Sequence, residues 1–331
     1  MNGYNEPEVF MYDSYGRKIE YMRISVTDRC NLRCRYCMPD GIENIPMSEI
    51  LTFEEIAKVC SSAAELGIRH IRLTGGEPLV RKQAETLVGM LKNIDGIESV
   101  TMTTNGILIA EKLDILRKNG LDGVNISLDT LDSERYKMIT GFDRLSDVMK
   151  SIASAEESGL PTKINTVVLE ENADEWLLLA ELAKNRNVDV RFIEIMPIGN
   201  GKSYKSLSCE NVYNAIKKKY DIKPYEYPEK IGYGPAEYYE IDGFKGKIGF
   251  INAVHGKFCG QCNRIRLTST GFLKSCLCYD DGADLKSVLR GKMDKSLKDV
   301  IYNTVYNKPE GHCFDNESMI TEKSIMSEIG G

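Results

Sequence analysis

Cys30, Cys34 and Cys37 place three thiols within the eight residues Cys30-Asn31-Leu32-Arg33-Cys34-Arg35-Tyr36-Cys37. Thiolates this close together can grip a single inorganic centre. An iron–sulfur cube is usually held by four of them, so three with no obvious fourth point to a cube with one iron left open for a ligand. The rival is structural zinc, which normally takes four ligands, often as two C-x2-C pairs; this group is one short. A disulfide framework fits poorly, because the chain has 331 residues and no recognisable signal peptide, and reduced thiols are expected.

A second group lies far downstream. Cys259, Cys262 and Cys276 give the spacing C-x2-C-x13-C, and Cys278 follows two residues later. Four cysteines would close a tetrahedral zinc site, whereas three would hold a second cluster; the cysteines alone leave both open. Arg264 and Arg266 alternate along the strand-like Arg264-Ile265-Arg266-Leu267, which suits an anion-facing surface better than a structural clip. Arg23, Arg72, Lys163 and Arg191 also interrupt apolar strand patterns. Any one of them could turn outward or pair locally, Arg191 with Glu194 for instance, since buried charges are tolerated only when paired. Four on four different strands of an acidic chain argue for one shared anionic partner, whose phosphate oxygens they would clamp.

The elements that must position these residues follow from periodicity. Met22 to Asp28 alternates and carries β-branched residues, so it predicts a strand with the first cysteine loop leaving its end. Thr52 and Glu55 form a capping-box pattern ahead of an apolar face through Ile56, Val59, Ala63 and Leu66. Gly67 ends that helix, and Ile68 to Thr74 is a strand running into Gly75-Gly76-Glu77-Pro78. The alternation continues: helix 81–93, strand 98–103, helix 109–119, strand 123–129, helix 145–158, strand 162–169, helix 174–186, strand 188–195 and helix 209–220. Six strand–helix units fall short of the eight that close a (β/α)8 barrel. The expected fold is therefore α/β, an open, partial (β/α)6 TIM-like barrel. Its chemistry would sit where the strands end, and glycines there let backbone amides approach a ligand closely. The expected organisation is a lead-in over 1–20, the partial barrel over 21–220, and a C-terminal region over 221–331 that carries the second cysteine group and ends in Gly330-Gly331.

Composition narrows the function classes. A net charge of −6, from 43 basic and 49 acidic residues, gives no whole-molecule attraction for nucleic acid or anionic lipid. No apolar run approaches the roughly 20 residues of a membrane span. Ten cysteines without a secretory signal lead to the expectation of a reducing, cytoplasmic setting and metal chemistry.

The spacing C-x3-C-x2-C, with Tyr36 before the last cysteine, resembles the signature of radical S-adenosylmethionine (SAM) enzymes. More specifically, nearly the whole chain resembles the GTP 3′,8-cyclases of molybdenum cofactor biosynthesis. The resemblance rests on residues 23–34, Arg72-Leu73-Thr74-Gly75-Gly76-Glu77-Pro78-Leu79, Thr103-Thr104-Asn105-Gly106, Asn125-Ile126-Ser127-Leu128-Asp129, Arg191-Phe192-Ile193-Glu194, the C-x2-C-x13-C and the terminal Ile-Gly-Gly. It implies two [4Fe-4S] clusters and SAM as cofactors. Cys30, Cys34 and Cys37 would hold the first cluster, with Tyr36, Gly76, Glu77, Ser127 and Met196 around the SAM. Cys259, Cys262 and Cys276 would hold an auxiliary cluster whose open iron faces guanine. Arg23, Arg72, Thr103, Lys163, Arg264 and Arg266 would contact GTP, and Arg264, Arg266, Gly330 and Gly331 would serve catalysis. The implied lyase reaction begins with a 5′-deoxyadenosyl radical taking the 3′ hydrogen of GTP; C3′ then attacks guanine C8 to give (8S)-3′,8-cyclo-7,8-dihydroguanosine 5′-triphosphate. The implied partners are a flavodoxin- or ferredoxin-type low-potential electron donor and the downstream cyclic pyranopterin monophosphate synthase, and a homodimer is among the assemblies expected. Cys278 departs from the pattern, because as a fourth thiolate it would close the iron meant for substrate. The competing readings are a radical SAM peptide- or protein-modifying enzyme with an auxiliary cluster, and a non-enzymatic iron–sulfur or zinc protein.

Overall fold

The computed structural model describes residues 9–41, 45–226 and 231–330. The first half alternates strand and helix: β1 (Tyr21–Ser25), α1 (Phe53–Ala64), β2 (His70–Thr74), α2 (Ala84–Lys92), β3 (Ser99–Thr104), α3 (Ile109–Lys118) and β4 (Gly123–Ser127). Two helices follow, α4 (Ser133–Thr140) and α5 (Leu145–Glu157), before β5 (Thr162–Val168). The expected helix over 174–186 is divided at Glu181 into α6 (Trp176–Ala180) and α7 (Leu182–Asn185), and β6 (Asp189–Glu194) and α8 (Cys209–Lys217) complete the six units. Sequence periodicity gave these units in order but not α4, a short helix whose start is held by Asp132 accepting from the Arg135 N–H at 2.7 Å.

The remaining strands extend the same sheet at both edges. They are β7 (Ile222–Pro224), β8 (Glu237–Ile241), β9 (Ile248–Ile251), β10 (Arg264–Leu267), β11 (Phe272–Lys274) and β12 (Gly282–Asp284), followed by α9 (Leu285–Leu289) and α10 (Leu297–Tyr306). The order in the twelve-stranded sheet is β12-β11-β10-β1-β2-β3-β4-β5-β6-β9-β8-β7. Both β10 against β1 and β9 against β6 are parallel, so the parallel core is two strands wider than the six units. The outermost pairs are antiparallel. β9 and β10 are four residues each and neither directly follows an α-helix, which is why periodicity does not reveal them.

Register sets the two faces of the sheet. Tyr21, Arg23 and Ser25 alternate with Met22 and Ile24 along β1; Arg23 lies level with Arg266 of β10 and Arg72 of β2. Asn125 lies level with Thr103 and Lys163, and Asn165 with Arg191. On the opposite parity, Met22, Ile24, Ile71, Leu73, Val100, Met102, Ile126, Ile164, Val190 and Phe192 are fully buried in one apolar core. Each such side chain adds about 1.5–3 kcal/mol by leaving water. A single cavity is lined by residues from all eight parallel strands, so the sheet curls around it with the polar parity inside.

This parity decides the question of the basic residues. Arg191 and Glu194 are three apart on β6 and fall on opposite faces, which overturns the local pairing. Glu194 instead accepts from the N–H groups of Val254 at 2.7 Å and His255 at 2.9 Å. Among the described residues no helix is long and apolar enough to cross a membrane.

The capping box on α1 forms as expected: Thr52 Oγ1 accepts from the Glu55 N–H at 3.1 Å, and Glu55 accepts from the Thr52 N–H at 2.8 Å. Thr52→Ala should therefore lower the unfolding free energy by about 1 kcal/mol in a denaturant titration. Catalytic turnover of the folded protein should not change, because neither Thr52 nor Glu55 lines the cavity.

Candidate active site

The first cysteine loop is seated by the turn after β2. Gly76 N–H donates to Thr27 O and Glu77 N–H to Arg29 O, both at 2.8 Å. A Cβ at Gly75 would stand 2.6 Å from Thr27 O, and one at Gly76 would stand 2.4 Å from Arg29 O. Only glycine allows two backbones to meet this closely, and that contact fixes the stretch leading into Cys30. The Glu77 carboxylate is fully buried and faces the protein: it accepts from Leu79 N–H at 3.0 Å, Asn105 N–H at 2.7 Å and the Thr104 hydroxyl at 2.8 Å. Burial pushes Glu77 up to about 7, against the pull of those donors. Gly76 lines the cavity, while Glu77 ties the glycine turn to the end of β3.

Cys30, Cys34 and Cys37 all line the cavity, together with Tyr36, Gly76, Ser127 and Met196. Leu32 N–H points at Cys30 Sγ at 3.4 Å. Burial, then the neighbouring Cys37 and Asp129, hold the Cys34 thiol well above its usual range, and Cys37 is pushed up to about 12. Positively charged iron would reverse that demand, since coordination deprotonates thiols outright. Two further residues join them. Asn105 donates to Asn31 Oδ1 at 2.7 Å, and the buried Asp129 accepts from the Tyr36 hydroxyl at 2.6 Å and the Val167 N–H at 2.8 Å. Both sit in strand-end motifs already visible in the sequence, but their chemistry depends on contacts across the barrel.

Cys259, Cys262 and Cys276 line the same cavity. Cys259 Sγ accepts from His312 N–H at 3.4 Å. Burial would push Cys262 up, but Arg264 and then Lys308 more than offset it and bring the thiol down to about 6. Cys278 turns away: it is fully buried, and its sulfur lies 3.0 Å from that of Cys313 in a small apolar cluster with Ile198, Phe314 and Ile329. All ten cysteines are free thiols. Three thiols at each of two places on one cavity are the donor type and number that a three-thiolate cluster would take.

The basic residues divide between two connected regions. Arg23, Thr103, Arg264 and Arg266 line the cavity of about 310 Å³ that holds both cysteine groups. Arg72 and Lys163 line a second cavity of about 570 Å³ at the other mouth of the barrel, with Arg191 and Tyr238. Arg72 joins the two, donating to Thr103 Oγ1 at 3.4 Å and to the Tyr21 hydroxyl. Arg191 is held by Asn165 Oδ1 at 2.5 and 2.9 Å, and Lys163 donates to the Tyr238 hydroxyl at 2.9 Å. Burial first, then the Arg266 guanidinium, press Arg23 well below its usual value, and burial lowers Lys163 to about 7. Lys163 also has the Asp189 carboxylate at 3.7 Å. Arg266 also donates to Gly330 O at 2.6 Å, and a Cβ at Gly330 would stand 2.6 Å from the Thr74 hydroxyl. Gly331 lies outside the described residues.

A curled parallel sheet with an open three-thiolate loop after its first strand is the architecture of radical SAM enzymes, and residues 24–183 match the Radical SAM superfamily. Residues 188–314 match the family Molybdenum Cofactor Synthesis C. The chain is 45% identical over 324 residues to a GTP 3′,8-cyclase of Clostridium perfringens, covering 97% of this chain and 100% of that one. It is 42% identical over 328 residues to the GTP 3′,8-cyclase of Desulforamulus reducens, with the same shares covered. The chain belongs to the GTP 3′,8-cyclase family of radical SAM lyases. Among solved structures, Streptococcus suis SuiB bound to S-adenosylmethionine superposes with a TM-score of 0.63 at 16% identity, over 96% of this chain and 77% of that one. At that identity the likeness concerns the fold.

Glu77→Gln keeps the size of the side chain but replaces one acceptor oxygen with a donor amide that faces other donors. It should cost about 1–3 kcal/mol of stability, read by denaturant titration. SAM affinity should fall with it through the displaced Gly76, although Glu77 does not line the cavity. Unchanged stability would mean that the Glu77 bonds do not seat the turn.

Proposed function

We propose that this chain cyclises GTP to (8S)-3′,8-cyclo-7,8-dihydroguanosine 5′-triphosphate, the first step of molybdenum cofactor biosynthesis, using two [4Fe-4S] clusters. One observation carries the reading: a single cavity is lined by both cysteine triads and by the guanidinium groups of Arg23, Arg264 and Arg266. When bound, the first cluster and SAM supply a 5′-deoxyadenosyl radical that takes the 3′ hydrogen. Every other task falls to the protein. Cys30, Cys34 and Cys37 hold the first cluster, and Tyr36, Gly76, Ser127 and Met196 surround SAM, with Asp129 fixing the Tyr36 ring. Cys259, Cys262 and Cys276 would hold the second cluster, and Cys278, turned to Cys313, would take no part.

Arg23, Arg72, Thr103 and Lys163 orient the nucleotide, and the triphosphate offsets the mutual repulsion of the buried cations. Arg264 and Arg266 lie beside the second cysteine group; Arg266, held by the Gly330 carbonyl, presents its remaining N–H groups to the reacting nucleotide. An external flavodoxin- or ferredoxin-type donor supplies electrons, and the product passes to cyclic pyranopterin monophosphate synthase. A peptide-modifying role has one point in its favour, a TM-score of 0.64 at 15% identity to SuiB bound to its precursor peptide SuiA. That likeness is one of fold, whereas the full-length relatives at 42–45% identity are named as cyclases.

Anaerobically reconstituted protein should hold about eight irons, cleave SAM reductively and consume GTP. Cys276→Ser should lose the second cluster and product formation while still cleaving some SAM, and Cys278→Ser should keep iron and product. Iron loss in Cys278→Ser but not in Cys276→Ser, or stoichiometric zinc in the wild type, would overturn the assignment.

Lys163 provides a separate check. Its lowered value near 7 means that above this pH the free protein carries it largely neutral. A bound triphosphate favours the ammonium, so GTP binding at pH 8 should take up a proton, measured by calorimetry in buffers of differing ionisation enthalpy. Lys163→Ala should abolish the uptake and weaken GTP binding by about 1.5–3 kcal/mol; proton release on binding would contradict the clamp.

A further inference from the structure

Lys308, just past α10, is 3% exposed, yet among the described residues no carboxylate lies within ion-pair distance of it. Its ammonium donates to two backbone carbonyls, Arg264 O at 3.1 Å and Ser275 O. Those carbonyls belong to the residue two after Cys262 and the residue directly before Cys276. Lys308 lines the cavity beside all three cysteines of the second group. The contrast with its neighbours is informative. Lys274, equally buried, pairs with Glu322, and the buried Arg17 pairs with Asp13 while donating to Cys259 O at 2.9 Å. Lys308 alone of these three keeps a whole buried charge against neutral carbonyls, and such a charge is costly unless an anion accompanies it. The available anion is the second cysteine group. Three thiolates on a cube leave the assembly negative overall, and reduction adds a further negative charge.

We infer that Lys308 is the charge-compensating residue of the second cluster, a positioning residue that raises its reduction potential and retains its iron. The inference rests on the reading of Cys259, Cys262 and Cys276 as cluster ligands. Its physical content is simple: a fixed cation stabilises the more negative, reduced cluster relative to the oxidised one. It also stitches the two cysteine segments together through their carbonyls, which couples the charge to the geometry of the site. A purely structural stitch would behave differently, since loosening the wall admits water, and solvation of the reduced cluster raises the potential.

The test uses the full chain, reconstituted anaerobically with iron and sulfide. In a background carrying Cys30→Ser, Cys34→Ser and Cys37→Ser, only the second cluster reports. Lys308→Met should bring a more negative midpoint in an EPR-monitored redox titration and about 10–100-fold weaker retention of iron against a chelator. Lys308→Arg should return both toward the unsubstituted values. With the first-site cysteines present, SAM cleavage by Lys308→Met should persist, showing that the barrel still folds. A midpoint that stays put or moves positive in Lys308→Met overturns the inference, as does failure of Lys308→Arg to differ from Lys308→Met. If the triple-serine background itself takes up no cluster, the cluster reading fails at its source and this inference falls with it, a result distinct from a shifted or unshifted midpoint.

Discussion

The structure depends on a strict two-residue alternation carried in register across eight parallel strands. On one parity the side chains are mostly apolar and buried beneath the helices; on the other, Arg, Lys, Asn, Thr and Ser recur and face the enclosed space, joined by Val167, Ile193 and Ile251. A parallel sheet usually buries apolar residues on both faces, so the arginines and asparagines on its inner face suit a polar ligand there. A slip of one residue in any strand would turn its cations into the helix layer and its aliphatic residues into the cavity. Fold and site are therefore the same constraint seen from two sides of the sheet.

Electrostatics then distributes roles along the cavity. Around the first cysteine loop the ionisable neighbours include the buried Asp129, and the thiols are held in their protonated range until a metal draws off the protons. Around the second group, Arg264 and Lys308 outweigh burial and favour the thiolate at Cys262. In the same cavity, burial and then Arg266 press Arg23 down, and burial and then Arg264 press Arg266 down. A polyanion placed there would offset the repulsion among these cations, which is how a chain with an acidic balance can still suit a nucleotide.

The C-terminal region contributes by closing the structure at both edges. β9 and β10 add to opposite sides of the six-unit core, and β10 brings Arg264 and Arg266 level with Tyr21 and Arg23. The tail then returns over β10, where Arg266 holds the Gly330 carbonyl, and the buried Lys274–Glu322 pair fixes the approach of that tail. The second wall of the cavity thus belongs to the same sheet as the first, and the spacing between the two cysteine groups is set by strand pairing.

The sequence by itself determined the local features. The cysteine spacing, the glycine turn, the capping box at Thr52 and the strand–helix rhythm are all short-range patterns, each enforced by the chemistry of a few adjacent residues. It also marked the anomalous charges at Arg23, Arg72, Lys163 and Arg191. What only the tertiary structure decided was which way those charges face and what they meet. The flanking strands β9 and β10 are too short to show a period, and their places beside β6 and β1 follow from long-range pairing. Glu77 was legible as a residue beside the cofactor, but its carboxylate is engaged by Thr104 and Asn105, contacts from a neighbouring strand that no local pattern encodes. Cys278 was legible as a fourth thiol, yet its sulfur is turned to Cys313, 35 residues away, because that pocket is apolar and closed. Lys308 carried no signal at all, since a single lysine after a helix is ordinary until the fold buries it among three cysteines without a carboxylate.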